Sequence, residues 1–360
     1  MSQNKKEIFL ISPSFPPGTG GIQTWMKNWV KHSQLDFTVL TQEAEDTSFD
    51  REIDAEIIRE KILGPVGYLK TAWYALINRD KKIHLESPMN AFVAIPAKLS
   101  GAKITSHAHG NELIYHENSA GRIRKTLFKQ GLKTISKFIV PSQWTKEKIQ
   151  ELGIEGEKIE VIHPGIDFER FNNFELEDRK FSSQEKFTLL TVGRLDERKG
   201  HMKVIQAIKD LENVEYLIAG SGEMEEQIKQ KIQELDIQDK VKMLGYVPEE
   251  DLVQLYHESN CFIMTSQQME NSVEGFGIVY LEANATGLPV IGADTGGVSS
   301  AIKNNETGLL TSTDPQDIKE KIQEMKEDPE KFTENSVEWA RKHDWQNQIR
   351  ELDELWSTAK

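Results

Sequence analysis

Cysteine is nearly absent from this chain, with only Cys261 among 360 residues. One cysteine excludes an internal disulfide and most zinc sites, and its apolar neighbours predict a core residue in a reducing compartment. Long apolar runs are also missing, because no stretch approaches the roughly 18 residues that a membrane-spanning helix needs. The N-terminus begins with polar residues and then a short strand, unlike a signal peptide. We therefore expect a cytoplasmic protein that does not span a membrane.

Two motifs that hold cofactors or metals are missing as well. The glycine-rich stretches at 18–23 and 220–225 both lack the third glycine of Gly-x-Gly-x-x-Gly, which disfavours a nicotinamide-dependent oxidoreductase. No Asp-x-Asp triplet occurs, so the divalent ion that this triplet often binds is not expected. His107 and His109 alternate and could face one side of a strand, but no third metal ligand is evident. We predict neither a metal site nor a cofactor.

Basic residues are outnumbered, with 44 Lys and Arg against 58 Asp and Glu and a net charge of −14. Such a charge argues against general nucleic-acid binding. The imbalance is uneven: residues 1–170 carry 23 basic and 21 acidic residues, and residues 171–360 carry 21 and 37. Only the first half is therefore suited to an anionic surface.

Short β-branched runs alternate with helical patterns along the whole chain. The predicted strands are Ile8–Ser12, Phe37–Thr41, Ile83–Glu86, Lys103–His107, Lys137–Pro141, Lys158–His163, Thr188–Gly193, Glu215–Gly220, Val241–Leu244, Cys261–Thr265, Val290–Gly292 and Gly308–Leu310. Apolar strands separated by helices predict parallel sheets covered on both faces. The fold class is thus α/β with two doubly wound, Rossmann-like domains, whose ligands lie beyond the carboxyl ends of the strands.

The composition also predicts the domain boundaries. Residues 1–171 form the first domain, the polar stretch 172–186 is the linker, and 187–337 form the second domain. Apolar residues recur at near-helical spacing through 338–360, so this tail needs a surface to cover. It either crosses back onto the first domain or ends as a helix on the second.

Two carboxylates stand eight residues apart at a predicted loop-to-helix junction. Glu274 precedes the glycines at 275 and 277, and Glu282 lies about two helical turns further on. The glycines leave backbone amides uncovered near a helix start, where a diphosphate or a sugar hydroxyl can bind. Such a pair can hold a sugar and a ribose, whereas an isolated acid pair is usually a solvated helix face.

Further motifs follow in order along most of the chain. They are Ser14–Gln23, His107–Glu112, Val140–Ser142, His163–Asp167, Val192–Gly200, Ala219–Gly222, Leu244–Val247 and Glu274–Glu282. Together they resemble the retaining glycosyltransferases of family 4, which have the GT-B fold and use a sugar nucleotide as donor. The first loop is most similar to the phosphatidylinositol mannosyltransferase branch. The resemblance implies two domains that face a cleft and a last helix that returns to the first domain.

The resemblance also implies the site residues. The catalytic residues would be His109, Arg194, Lys199 and Glu274. The donor would contact Gly20, Gly21, Gly193, Tyr246, Val247, Phe276, Gly277, Ile278, Val279 and Glu282. Arg194 and Lys199 would grip the diphosphate, Glu274 the sugar hydroxyls and Glu282 the ribose, while Arg198 would be solvated and His107 structural.

The resemblance implies transfer of a hexose to a hydroxyl with retention, in which the leaving phosphate itself helps to deprotonate the acceptor. The similarity of the first loop to mannosyltransferases slightly favours GDP-mannose over a UDP-sugar as the donor. The acceptor, a glycan, a glycolipid or a lipid-linked sugar, would meet variable regions of the first domain near Gly64–Gly67 and Asn111–Gly121. The alternatives are a phosphorylase or a sugar-nucleotide epimerase of the same fold, and a sensor that binds nucleotide sugars without turnover.

The segment 122–137 carries six basic residues and no acidic ones, interleaved with apolar residues. A basic helix with an apolar face can lie on anionic lipid. The same face can instead pack on the first sheet, with the charges merely solvated. A mixed interpretation has the apolar face packed inward and the charges holding the protein at the inner face of the membrane.

Overall fold

The structure is a computed structural model that describes residues 7–18, 20–118, 121–173, 181 and 186–358. The chain divides into two compact units. The first comprises the residues up to Gly165 together with the segment from Trp345, and the second comprises Ile166–Asp344. The first unit thus ends six residues before the predicted boundary at 171, and most of the predicted linker 172–186 lies outside the described residues.

The described part of the first unit contains a seven-stranded parallel sheet. Its strands are β1 (Glu7–Ile11), β2 (Asp36–Thr41), β3 (Glu56–Arg59), β4 (Lys82–Leu85), β5 (Ile104–His107), β6 (Lys137–Val140) and β7 (Ile159–Val161). They lie in the order β3-β2-β1-β4-β5-β6-β7, with β1 at the point where the order reverses. Phe9 on β1 and Phe138 on β6 are fully buried, as expected of strands covered on both faces.

Helices lie between these strands. They are α1 (Gly21–His32), α2 (Gly64–Ile77), α3 (Ile95–Leu99), α4 (Asn111–Asn118), α5 (Arg122–Leu132) and α6 (Gln143–Glu151), and a 3-10 segment spans Pro88–Ala94. The start of α2 packs closely on the chain before it: a Cβ atom on Gly67 would lie 2.4 Å from the carbonyl carbon of Ile62. Glycine at this position therefore allows the close approach.

The described part of the second unit repeats the architecture. Its elements are α7 (Phe168–Phe171), β8 (Phe187–Val192), α8 (His201–Ile208), β9 (Val214–Ala219), α9 (Glu225–Glu234), β10 (Val241–Gly245), α10 (Glu249–Glu258), β11 (Cys261–Met264), α11 (Ile278–Ala285), β12 (Val290–Ala293), α12 (Val298–Ala301), β13 (Gly308–Thr311), α13 (Pro315–Glu327) and α14 (Thr333–Lys342). The six strands are parallel in the order β10-β9-β8-β11-β12-β13. Cys261 is fully buried in β11.

The predicted tail 338–360 is not one element. α14 stays with the second unit, because the backbone at 343–344 pairs with the chain at Ile166 rather than continuing the helix: the N–H of Ile166 donates to His343 O over 2.9 Å. The last helix, α15 (Trp345–Thr358), belongs to the first unit. There the carboxylate of Asp353 accepts from Ser33 Oγ over 2.7 Å, and the rings of Trp356 and Trp29 lie 5.8 Å apart.

The prediction of two parallel α/β sheets is confirmed, and each of the twelve predicted strands overlaps a strand of the structure. The edge strand β3 was not predicted, because its sequence Glu56-Ile57-Ile58-Arg59 offers only two apolar residues between charged ones. Within the described ranges, no helix combines the length and the apolar character that crossing a bilayer requires.

Candidate active-site residues

Two glycine turns follow the neighbouring strands β8 and β9, and their loops touch through the backbone. A Cβ atom on Gly220 would lie 1.8 Å from the carbonyl oxygen of Gly193, so no side chain fits there. The N–H of Leu195 also donates to Ser221 O over 2.9 Å. The predicted donor contact Gly193 therefore lies in a closely packed turn that positions Arg194.

Arg194 and Lys199 share this loop but have different surroundings. The Arg194 side chain is 81% exposed, and its nearest carboxylate is Asp196 at 3.5 Å. Residues Glu197–Lys199 form a 3-10 turn in which the Asp196 carboxylate accepts from the N–H of Lys199 over 3.2 Å. Lys199 is largely buried, with Nζ 2.7 Å from Glu274 Oε2. Of the two predicted cations, one thus faces solvent and the other contacts a predicted acid.

Arg198 is not solvated, and that prediction is wrong. Its Nη1 lies 2.6 Å from Glu274 Oε2, and its side chain is only 13% exposed. The cause is a tertiary contact: Gly200 has a left-handed backbone with φ +77 and lies directly against Thr265, which follows β11. The Arg198 carbonyl also accepts from the N–H of Gln267 over 2.6 Å. The turn is thereby held against the loop after β11, where both Arg198 and Lys199 reach Glu274.

Glu274 therefore receives two cations on one oxygen. Burial alone would raise the pKa of its carboxyl, but Lys199 and Arg198 outweigh burial and lower the pKa to about 2. Both cations bind Oε2, and no described residue donates a hydrogen bond to Oε1. Glu274 is thus ionised at neutral pH, and its Oε1 is available as an acceptor.

The loop that joins Glu274 to α11 is held by two further glycines. Gly277 precedes the helix with φ +91, and a Cβ atom there would lie 2.6 Å from the ring of Tyr280. The N–H of Gly297 donates to the carbonyl of Glu274 over 2.8 Å, while Phe276 is buried in the core. The predicted donor contacts Ile278 and Val279 form the first turn of α11 and are partly buried.

Glu282 lies within α11 and has a separate partner. The hydroxyl of Tyr256 donates to its Oε2 over 3.0 Å. Burial raises the pKa of Glu282 to about 7. The pKa values of the two predicted acids therefore shift in opposite directions: two cations favour the ionised form of Glu274, whereas burial disfavours the ionised form of Glu282. Tyr256 lies on α10, and no spacing in the sequence pairs it with Glu282.

Tyr246 and Val247 follow strand β10 in the same unit. Gly245 has φ +66, and its carbonyl accepts from the N–H of Gly220 over 2.7 Å. Tyr246 is 77% exposed, whereas Val247 packs on the core. This bend therefore turns one large aromatic ring outward next to the glycine turn after β9.

His109 follows β5 in the first unit and makes two backbone contacts. Its Nε2 lies 2.9 Å from the carbonyl oxygen of Glu86, and its N–H donates to the Glu112 carboxylate over 2.7 Å. A carbonyl can only accept, so Nε2 carries the proton and Nδ1 of a neutral ring is left as an acceptor. Glu86 in turn accepts hydrogen bonds from the hydroxyls of Ser12 and Ser14.

His107 is fully buried and contacts another buried histidine, a partner that the sequence does not reveal. Its Nδ1 lies 2.7 Å from Nε2 of His84 on β4, and its Nε2 has no hydrogen-bond partner among the described residues. Burial holds the pKa of both rings well below the usual 6.5. In the described ranges, no group of three or more His, Cys, Asp and Glu is placed to hold a metal ion.

Gly20 and Gly21 lie where the first loop enters α1. Gly20 has φ +148 and precedes the helix, and Gly21 is its first residue. Trp25 and Trp29 form the buried face of α1. The loop is thereby attached to the carboxyl end of β1, the edge of the sheet that also carries His109.

The basic segment 122–137 is not a single helix. α5 ends at Leu132, and Lys137 is already in β6, where it pairs with Glu160 at 2.5 Å. Phe128 and Leu132 pack inward, as one of the alternatives had it, but Ile123 and Leu127 are exposed. The apolar residues of α5 are therefore divided between the core and the solvent.

Comparison with known proteins gives this geometry a context. The family model described as "Glycosyltransferase Family 4" matches residues 20–170, and the one described as "Glycosyl transferases group 1" matches 173–343. A GDP-mannose-dependent monoacylated α-(1-6)-phosphatidylinositol monomannoside mannosyltransferase of Corynebacterium glutamicum is 28% identical over 91% of each chain.

Solved structures share the fold. HepE of Anabaena in complex with UDP superposes with a TM-score of 0.78 at 21% identity, covering 98% of this chain and all of that one. Sucrose-phosphate synthase of Thermosynechococcus elongatus gives a TM-score of 0.78 at 19% identity over 98% of both chains. The two family models together match nearly all of residues 20–343, and the chain belongs to glycosyltransferase family 4.

Proposed function

We propose that the protein moves a hexose from a nucleoside-diphosphate sugar to a hydroxyl, with retention at the anomeric carbon and without a metal ion. The observation that carries this proposal is the Arg198–Glu274–Lys199 cluster beside Arg194. Negative charge grows on the departing diphosphate as the glycosidic bond breaks, and fixed cations stabilise that charge. Arg198 and Lys199 are paired with Glu274, whereas the Arg194 side chain is 81% exposed, so Arg194 can meet the diphosphate directly.

Each acid would then have a distinct role. Glu274 stays ionised, so its Oε1 can accept a hydrogen bond from a hydroxyl of the transferred sugar. Glu282 would accept from the nucleotide ribose, and Tyr246 would border the base together with Val247. The glycine amides near Gly20, Gly21, Gly193 and Gly277 allow close approach of phosphate oxygens.

The proposed chemistry needs no protein nucleophile. The bond from the anomeric carbon to the phosphate oxygen breaks, and the acceptor oxygen bonds to that carbon from the same face. The acceptor proton passes to the departing phosphate oxygen, so atoms and charge balance. His109 would contact the donor sugar in this scheme.

We propose GDP-mannose slightly ahead of a UDP-sugar as the donor. The name of the Corynebacterium relative specifies GDP-mannose, and the first loop is most similar to that branch. HepE is in complex with UDP, so the assay below also includes UDP-sugars.

Release of nucleoside diphosphate from GDP-mannose, UDP-glucose and UDP-galactose tests the proposal, in buffer with EDTA or with magnesium. We expect release from one base class, equal with EDTA and with magnesium. Glu274→Gln should retain nucleotide binding and lose turnover. Sugar phosphate formed only with inorganic phosphate would indicate a phosphorylase, an epimerised donor would indicate an epimerase, and binding without turnover would indicate a sensor.

For the acceptor, we propose a hydroxyl on a glycan or a lipid-linked glycan, reached partly at the membrane surface. Arg122, Arg124, Lys125 and Lys129 on α5 would contact anionic lipid weakly, since each basic residue near such a surface contributes about 1 kcal/mol. Sedimentation with vesicles of increasing phosphatidylglycerol content measures this contact, and binding that is independent of anionic lipid would contradict it.

A further inference from the structure

The first unit contains an apolar cavity of about 330 Å³ at the carboxyl ends of β1 and β4. This volume lies near the lower end of the range for small-molecule sites, about 300–1,000 Å³. Ile11 and Leu85 line it from the strands, Ile22 from α1 and Val93 from the 3-10 segment. Tyr68 forms another wall, with its ring 5.2 Å from that of Phe92.

One end of the cavity is polar and adjoins His109. Glu86 and Glu112 both line the cavity, and both contact His109, through a carbonyl oxygen and a carboxylate respectively. The Glu86 carboxylate already accepts from the hydroxyls of Ser12 and Ser14, and Glu112 uses Oε1 for the N–H of His109. The second oxygen of Glu112 can accept from a ligand hydroxyl, and the two negative charges repel phosphates. This end therefore suits a head group that carries hydroxyls, such as a sugar.

Helix α2, whose inner face lines the cavity, carries an exposed apolar stripe on its outer face. The stripe consists of Val66, Leu69, Trp73 and Ile77, which are 50–73% exposed. At 100° per residue they fall within about 80° of arc along roughly 16 Å of helix. The opposite face, with Thr71 and Ala75, is buried. One apolar face of α2 is covered by the first unit, and the other faces solvent. An exposed apolar face of this kind indicates a surface that another apolar partner covers.

The cavity opens at the start of α2, the helix that carries the stripe. Leu63 lines the cavity, is itself exposed and immediately precedes α2. Tyr68 and Thr71 of α2 line the cavity from within the helix. The mouth is completed by Met89, which is also exposed. Exposed apolar residues at the start of α2 thus lead into the cavity, whose polar end lies beside His109.

Resting on the proposed glycosyl transfer, we infer that this cavity holds the hydrocarbon chain of a lipid-linked sugar acceptor. The sugar lies at the Glu86–Glu112 end, next to His109, and the chain runs past Ile22 and Tyr68 to the mouth at Leu63 and Met89. The α2 stripe rests on the bilayer from which the lipid comes. A soluble polysaccharide would use neither the apolar walls nor the stripe.

Methyl, octyl and dodecyl mannosides test the cavity as probes, each below its critical micelle concentration, with binding measured by calorimetry. Each methylene that enters an apolar cavity improves affinity about fourfold. We expect dodecyl to bind on the order of a hundredfold more tightly than octyl mannoside. Met89→Trp, which fills the mouth, should remove this dependence on chain length. Leu99→Trp is the matched control, because Leu99 is exposed at the end of α3 and does not line the cavity.

Equal binding of all three mannosides, or chain dependence that Met89→Trp leaves intact, would overturn the inference. Thermal unfolding with GDP and UDP is measured on the same proteins, because it reports on the second unit. A nucleotide shift without chain dependence refutes the lipid site and spares the proposed transfer. Chain dependence without any nucleotide shift refutes the proposed transfer instead.

The stripe has its own test in sedimentation with phosphatidylcholine vesicles that contain phosphatidylglycerol. Trp73→Gln should weaken binding about tenfold, because burying such a side chain is worth roughly 1.5–3 kcal/mol. Leu244→Gln, an exposed leucine of the second unit, should leave binding unchanged. An equal loss in both variants, or no loss in Trp73→Gln, would contradict the contact of α2 with lipid.

Discussion

Replacing Glu274 with glutamine removes the carboxylate that Arg198 and Lys199 share, and the structure sets the size of the effect. The pKa of about 2 lies below the ordinary 4.5, a difference equivalent to about 3 kcal/mol of unfolding free energy at pH 7. Loss of one partner from a buried ionic group costs roughly 3–5 kcal/mol. We therefore expect Glu274→Gln to destabilise the second unit by about 3 kcal/mol.

The assay is urea and thermal unfolding followed by circular dichroism. For a unit of this size, 3 kcal/mol lowers the melting temperature by roughly 6–12 °C. Glu338→Gln is the control, because Glu338 pairs with Lys342 on the surface of the same unit at 2.6 Å. Solvent screens an exposed pair of this kind, so Glu338→Gln should unfold like the wild type.

The pH dependence gives a second check on the same variant. The folded pKa of Glu274 is lowered, so its stabilisation is complete above the unfolded pKa and is lost as pH falls toward 2. The difference between wild type and Glu274→Gln should therefore fall below half by about pH 3. A difference under 0.5 kcal/mol at pH 7, or one that does not shrink in acid, would refute the reasoning.

Three further predictions concern single residues of the second unit and the first loop. Glu282 has a raised pKa, so its ionisation lowers the free energy of unfolding of the wild type as pH rises from 4.5 to about 7. Unfolding measured at pH 5 and pH 8 should therefore show that Glu282→Gln is more stable, relative to wild type, at pH 8 than at pH 5. Arg194→Ala should weaken nucleotide binding at least tenfold in calorimetry yet change unfolding free energy by under about 0.5 kcal/mol, because Arg194 is exposed. Gly277→Ala should cost over about 1 kcal/mol, since its Cβ would meet Tyr280, whereas Gly21→Ala, whose Cβ meets nothing within 4 Å, should be neutral or stabilising. Equal effects of the two glycine variants, no pH difference for Glu282→Gln, or unchanged affinity of Arg194→Ala would each contradict its prediction.

The sheets were predictable because their strands are short apolar runs that alternate regularly with helical patterns along the chain. The same pattern could not show β3, whose charged ends resemble a turn. The tail was predicted to be apolar, but its division at 343–344 depends on pairing with Ile166, which is far away in the sequence. Periodicity reports local burial, and it carries no information about such distant backbone pairs.

The candidate site shows the same limit. The position of Glu274 follows from its motif, whereas the inward turn of Arg198 depends on Gly200 packing against Thr265. Tyr256 contacts Glu282 from another helix of the second unit. Glu86 likewise contacts His109 from the end of another strand of the first unit. Each of these contacts is made by the tertiary fold, so residue spacing alone could not reveal it.

Thermal unfolding with GDP, UDP, ADP and TDP and their sugar conjugates tests the central claim most directly. A ligand at a hundred times its dissociation constant adds about 2.7 kcal/mol of apparent stability. The account predicts a clear shift with one base class, with GDP and its sugar conjugates ahead of UDP, and Arg194→Ala should reduce that shift to about half or less. No shift with any nucleotide, with or without magnesium, would contradict the assignment of the second unit as a sugar-nucleotide site.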